Sequence, residues 1–215
     1  MIAQIIDFIR SLTDPEKLIH LLSTVLTGWE GYVVLFLIVF AESGLLVGFF
    51  LPGDSLLVTA GLLAATTGVF NVWLLGLLLT VASIIGNTVG YGIGRASGQR
   101  LFRREDSLLF NKKHLYRAHE FYERHGGKTV VIARFMPIVR TFVPVVAGMA
   151  QMGYRRYTIY NIVGGLGWIW SMLFIGYFLG RYIPGVDQHI ETVIVIVVFV
   201  SILPGIIGWL RARRS

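Results

Sequence analysis

Four ionisable residues stand inside segments that are otherwise apolar. Glu42 and Asp54 interrupt VVLFLIVFAESGLLVGFFLPGDSLLVTAGLL, and Arg134 and Arg140 interrupt VVIARFMPIVRTFVPVVAGMA. A charge facing hydrocarbon is costly, so such residues face a protein interior or a wet cavity and mark ion, proton or substrate sites. Arginine presents a planar fork of donors that matches phosphate bidentately. A carboxylate in the same low-dielectric space can gain and lose a proton. Arg134 and Arg140 therefore suit a phosphate, and Glu42 and Asp54 suit proton coupling. The plainer alternative is a pair of structural ion pairs, but buried ion pairs are weak sources of stability, which favours the functional reading.

The elements that carry these residues are broken close to the charges. Along an uninterrupted helix, six residues turn the chain by about 600°, which would point Arg134 and Arg140 well apart. Pro137 and Pro144 fall in this segment and are expected to break its helix, letting the two guanidinium groups converge. Pro52 and Gly53 play the same part between Glu42 and Asp54.

The wider composition belongs to a membrane. Of 215 residues, 55% are hydrophobic and only 14% are charged, against roughly 25% charged in an ordinary soluble domain. The apolar blocks are Gly31–Leu51, Ser55–Phe70, Val72–Gly94, Thr129–Gly153, Tyr157–Ile183 and Thr192–Leu210. A helix crossing a bilayer needs about 20 such residues. The net charge of +7 does not indicate nucleic acid, because nearly half the basic residues fall between Arg95 and Lys128 and three more in the C-terminal tail. Basic loops of this kind lie on the cytoplasmic side, facing anionic lipid. The C-terminus is accordingly expected in the cytoplasm of a multi-pass protein of a bacterial inner membrane.

The same charge rule returns both ends of Thr129–Gly153 to the cytoplasm. Its 25 residues are too few to cross twice, so a re-entrant hairpin is expected. The Glu42–Asp54 region is expected to mirror it from the other face. The fold class is therefore an all-α polytopic membrane protein with two inverted repeats, each a re-entrant helical hairpin followed by transmembrane spans. One integral membrane domain, 1–215, divides into an amphipathic segment (1–28), a first repeat (29–94), a cytoplasmic basic loop or helix (95–128), a second repeat (129–183), and a last span with basic tail (184–215).

Gly86, Gly90, Gly94 and Gly98 recur every four residues, the small-residue spacing that lets helices approach closely. The packing they serve is left open between one chain and a homo-oligomer. Gly176 and Gly180 repeat the pattern. Asn87 and Asn161 are read as helix–helix hydrogen-bonding residues with a lining role open to them. The chain has no cysteine, and its five histidines lack metal-ligand spacing, so neither a metal nor another cofactor is expected. A lipid phosphatase would need a nucleophile and acid–base pair near the arginines, and the histidines all lie outside the apolar blocks. No enzyme is expected.

The motifs FAESG, FLPGDSLL, GNTVGYGIGRASG, FYERHGGKTVVIARFMPIVRTFVPVVAGMAQM and YNIVGGLGW together resemble the DedA family of bacterial inner-membrane proteins, the bacterial branch of the VTT-domain (SNARE-associated) group. The resemblance runs from about Gly31 to the C-terminus. It implies return of undecaprenyl phosphate, the lipid carrier of cell-wall synthesis, or of a related phospholipid, across the membrane, with a link to proton-motive force. The family's acidic residues match Glu42 and Asp54, and its essential arginines match Arg134 and Arg140. One departure is Asn87, where many relatives carry aspartate. The expected function is a lipid-carrier translocase; the alternative is a proton-coupled antiporter for small cations or drugs.

Overall fold

The computed structural model describes residues 28–45, 53–102 and 127–183. The segments 1–27, 103–126 and 184–215, and Pro52 with them, lie outside the described residues, as do the amphipathic segment, most of the basic loop and the last span named above. Six helices account for nearly all of what is described: α1 (Trp29–Gly44), α2 (Gly53–Thr66), α3 (Val72–Phe102), α4 (Lys128–Ala133), α5 (Pro137–Met149) and α6 (Tyr154–Tyr182). Two stretches, Val72–Ser97 within α3 and the whole of α6, are long and apolar enough to cross a membrane.

Local chemistry sets two of these boundaries. Asn71 opens α3 by accepting the backbone N–H groups of Trp73 and Leu74 at 3.0 and 3.2 Å, satisfying two donors that a helix start leaves orphaned. Its own N–H donates to the Tyr32 hydroxyl at 2.6 Å, which ties the start of α3 to α1. α3 does not stop at the last glycine of the apolar run but continues to Phe102. The chain leaves helical geometry at Met136, whose extended backbone precedes Pro137 at the first turn of α5. That is where proline is preorganised to begin a helix and where its missing N–H is least costly.

Pro144 corrects the expectation drawn from the sequence. It lies inside α5, which runs on through it to Met149. Proline at this position removes one intrahelical bond, to the carbonyl four residues back. The Pro144 side chain packs where Gly90 of α3 leaves room, 3.2 Å from where a Cβ on that glycine would stand. Only Pro137 marks the break.

The helices pack in a paired pattern. α3 lies along α1 and α5, α6 lies along α2 and α4, and α3 and α6 touch each other. Glycines make the closest approaches. A Cβ on Gly86 would stand 2.6 Å from the Phe40 carbonyl of α1, and one on Gly44 2.5 Å from the Gly86 carbonyl. A Cβ on Gly94 would overlap the Val145 carbonyl, and one on Gly148 the Tyr91 carbonyl, so α3 and α5 meet backbone to backbone. Gly61 against Leu173 and Gly176 against Val58 make the corresponding seam between α2 and α6. Gly180 continues it against Leu62 and Ala65.

The surface is the reverse of a soluble protein's. Trp73, Leu77, Val81, Ile85, Val89 and Ile93 form an exposed apolar stripe along α3, while Glu42, Asp54, Arg134, Arg140, Asn87 and Asn161 are buried. Water would penalise so long an apolar face, and bilayer hydrocarbon accepts it.

Candidate functional site

The four charged residues meet in the interior, where the helix breaks deliver them. Glu42 lies on the last turn of α1, Asp54 on the first turn of α2, Arg134 immediately after α4, and Arg140 in the first turns of α5. Glu42 is 1% exposed, Arg134 3%, Asp54 and Arg140 7%, so solvent screens none of them. Asp54 also benefits from the helix N-terminus on which it stands, whose dipole favours a carboxylate.

The two arginines are held in different ways. Arg140 takes both carboxylates: Nη1 donates to Asp54 Oδ1 at 2.5 Å and Nη2 to Glu42 Oε1. Its guanidinium carbon lies 4.6 Å from the centre of the Trp168 ring, in cation–π contact. The same indole donates through Nε1 to Asp54 Oδ1 at 2.8 Å. The Nε of Arg140 and the Oε2 of Glu42 are buried without hydrogen-bond partners. Gly53 closes over that oxygen, since any Cβ there would overlap the Glu42 carboxylate.

Arg134, by contrast, is surrounded by neutral acceptors. Nη1 donates to Ser83 Oγ, and Nη2 donates to Asn161 Oδ1 and, at 3.3 Å, to the Asn161 carbonyl. The Asn87 amide is oriented with its oxygen toward the guanidinium, the reverse orientation setting N–H donors face to face. So placed, it accepts from Arg134 Nε at 3.0 Å and donates to the Ser43 carbonyl at 2.6 Å. Asn161 Nδ2 donates in turn to the Ile84 carbonyl at 3.1 Å, and the Tyr157 hydroxyl donates to the Asn87 carbonyl at 2.9 Å. Among the described residues, no carboxylate pairs with Arg134. The α6 glycines make room for this side chain: a Cβ on Gly164 would stand 3.1 Å from Arg134 Cγ.

The two halves of the cluster join through consecutive residues of α1. Glu42 reaches Arg140, and Ser43 reaches Ser83 at 3.5 Å, the same serine that Arg134 holds. Thus Glu42, Asp54, Arg134 and Arg140 come together, and Pro137 and Gly53 shape the cluster from its edges. Gly86, Gly90 and Gly94 serve the packing around it, and Gly98 lies further along α3. Sequence reasoning did not single out Ser83, Tyr157 or Trp168, and apart from Trp168 closing the GGLGW run no local signal marks them. Among the described residues no metal-ligating cluster occurs. A separate cavity of about 480 Å³ at the start of α6, lined by Tyr154, Arg155, Arg156 and Tyr160 among others, holds none of the four charges.

The sequence has known relatives. The family described as the VTT domain matches residues 51–178, a span that includes Asp54, Arg134 and Arg140. The chain is 48% identical over 185 residues to Protein DedA of Escherichia coli (strain K12), covering 86% of this chain and 84% of that protein. The chain belongs to the DedA family. An uncharacterized membrane protein of Mycobacterium leprae (strain TN) is 43% identical over 178 residues, 83% of this chain and 79% of the relative. Inner membrane protein YqjA of Escherichia coli (strain K12) is 40% identical over 152 residues, 70% of this chain and 68% of that protein. No solved structure matches the chain. With its apolar exterior and two span-length helices, this DedA-family chain is a membrane protein, helical throughout its described elements.

Proposed function

We propose that this protein is a lipid-carrier translocase that moves undecaprenyl phosphate, or a related phospholipid, across a bacterial inner membrane under the drive of proton-motive force. The observation that carries the reading is the buried cluster itself. Arg134 holds only neutral partners among the described residues, leaving a positive charge for an anion to balance. Arg140 can exchange carboxylates for phosphate oxygens, which have the same bidentate geometry. Glu42 and Asp54 release Arg140 as the phosphate binds and take it back as the phosphate leaves, which makes this acidic pair the proton-coupling side of the cycle. The isoprenoid or acyl tail stays in the bilayer, so only the headgroup needs a polar path, and no chemical bond is made or broken.

The packing supports two inverted repeats. Exchanging α1 for α4, α2 for α5 and α3 for α6 maps the most extensive helix contacts, α3 with α5 and α2 with α6, onto each other, and likewise α1 with α3 onto α4 with α6. Gly94 and Gly176, which make the equivalent close seams, lie equally far from the helix starts Val72 and Tyr154. In this reading α1–α2 and α4–α5 are re-entrant hairpins entering from opposite faces, with their breaks at the midplane. The chain is multi-pass with its C-terminus in the cytoplasm.

The test is a headgroup-accessibility assay in proteoliposomes containing labelled undecaprenyl phosphate, with Arg134→Ala and Arg140→Ala beside the wild type. Loss of movement in both variants is the expected result. Wild-type rates in both would sink the site.

A further inference from the structure

The two carboxylates share Arg140 but are not held alike. Asp54 Oδ1 accepts from Arg140 and also from Trp168 Nε1 at 2.8 Å. Glu42 Oε1 accepts from Arg140, while Oε2 is buried with no hydrogen-bond partner. Trp168 is itself 1% exposed and sits against both members of the Asp54–Arg140 pair, with its ring under the guanidinium and its N–H on the carboxylate. It thus gives Asp54 a neutral donor that does not depend on where Arg140 points.

We propose that Trp168 is a positioning residue that keeps Asp54 an ionised acceptor when Arg140 turns to the lipid phosphate, so that Glu42 is the carboxyl that takes the proton. This rests on the phosphate reading above. Phosphate oxygens compete with carboxylates for the same donors. When Arg140 turns toward them, Glu42 loses its one side-chain donor among the described residues and is left as a buried charge with only the Gly53 backbone beside it. Leaving such a group unsatisfied costs more than most interactions return. A proton from solvent adds to a carboxylate oxygen, giving a neutral acid whose O–H is a donor. When the phosphate leaves and Arg140 returns, that proton departs. Asp54 retains Trp168 throughout.

Among the described residues, no other group in the cluster takes over this exchange. The charged groups meeting at Glu42 are Arg140 from α5 and, through it, Asp54 from α2. The α3 side brings Ser83 and Asn87 and the α6 side Trp168 and Asn161, which do not titrate, together with Tyr157, whose hydroxyl donates to the Asn87 carbonyl on the Arg134 side of the cluster; Arg134 follows α4 and is engaged by Ser83, Asn87 and Asn161. Gly53 closes the remaining side with backbone alone.

The experiment uses the full-length protein in nanodiscs, titrated with undecaprenyl phosphate, with binding followed by isothermal calorimetry and carboxyl protonation by infrared difference spectroscopy. In the wild type, binding should raise one protonated-carboxyl band. That band should vanish in Glu42→Gln and persist in Asp54→Asn. Trp168→Phe keeps a ring under Arg140 but removes the N–H, and should raise a second band, from Asp54. A band lost in Asp54→Asn, or a Trp168→Phe spectrum identical to the wild type, overturns the assignment. The Asp54→Asn and Trp168→Phe arms decide the matter even if Glu42→Gln does not fold. Wild-type binding without any carboxyl band also overturns it, leaving the phosphate reading intact. Absence of wild-type binding sinks both.

Discussion

Replacing Gly94 with alanine sets a methyl group where the Val145 carbonyl of α5 already lies. Both sides of this contact are helix backbone, so no side chain can swing away, and ordinary contact requires α3 and α5 to part by about 1 Å or more. Separation weakens dispersion contacts along the whole seam, because a gap of that size forfeits about a quarter to a half of each attraction. Overpacking of this kind costs about 1–3 kcal/mol. Alanine returns up to about 1 kcal/mol through its better helix propensity. The net loss is therefore about 1–2 kcal/mol, which for a chain of this size lowers the melting temperature by on the order of 5 °C. Gly92 provides the control on the same helix, two positions earlier: a Cβ there meets nothing within 4 Å. Gly92→Ala keeps the propensity gain without the clash. The two variants should melt on opposite sides of the wild type when intrinsic tryptophan fluorescence is followed in mild detergent at one scan rate. Gly94→Ala should also lose headgroup transport, since the seam it opens positions Arg140. A Gly94→Ala protein melting at or above Gly92→Ala would refute the backbone contact on which the estimate rests.

Two further substitutions probe the cluster. Gly53→Ala places a methyl group inside the Glu42 carboxylate and should expel it from Arg140, abolishing transport while the protein still inserts; proteoliposome assays at wild-type rates would contradict this. Asn161→Ala removes one of the two side-chain acceptors of Arg134 Nη2, the other being Asn87, and the donor to the Ile84 carbonyl. With buried groups left unsatisfied, stability should fall by about 1–3 kcal/mol, and an unchanged melting curve would show that neither bond matters.

The helices and the gathering of the four charges were legible in the sequence for physical reasons. Apolar runs of bilayer length and prolines beside charges are local signals, and a buried charge must find company wherever the chain takes it. Pro144 was not legible as a helical residue. Its tolerance depends on Gly90 of a distant helix leaving room, which no local pattern records. The partition of partners was equally hidden. Sequence alone favours treating the arginines as an equivalent pair, whereas the fold gives both carboxylates to Arg140 and a neutral cradle to Arg134. Ser83 and Trp168 read as ordinary core residues until α3 and α6 are laid against the two arginines. The glycine spacing announced close approach but not its partners, which are α1 for Gly86 and α5 for Gly94.

The pairing of Arg140 with Glu42 and Asp54 also governs how the chain can be assembled. The carboxylates emerge from the ribosome first, and their arginine follows 86 residues after Asp54. At about 5–20 residues per second, that interval is roughly 4–17 s. Throughout it the segment carrying Glu42 and Asp54 has acids but no arginine, and a lone charge at depth is expensive. Those carboxyls must therefore wait either protonated or at the wet interface, and the arriving arginine completes the burial. Insertion is thereby coupled to completion. A nascent chain stopped before Arg140 displays unpaired acids, a chemical mark of incompleteness that membrane quality control can read.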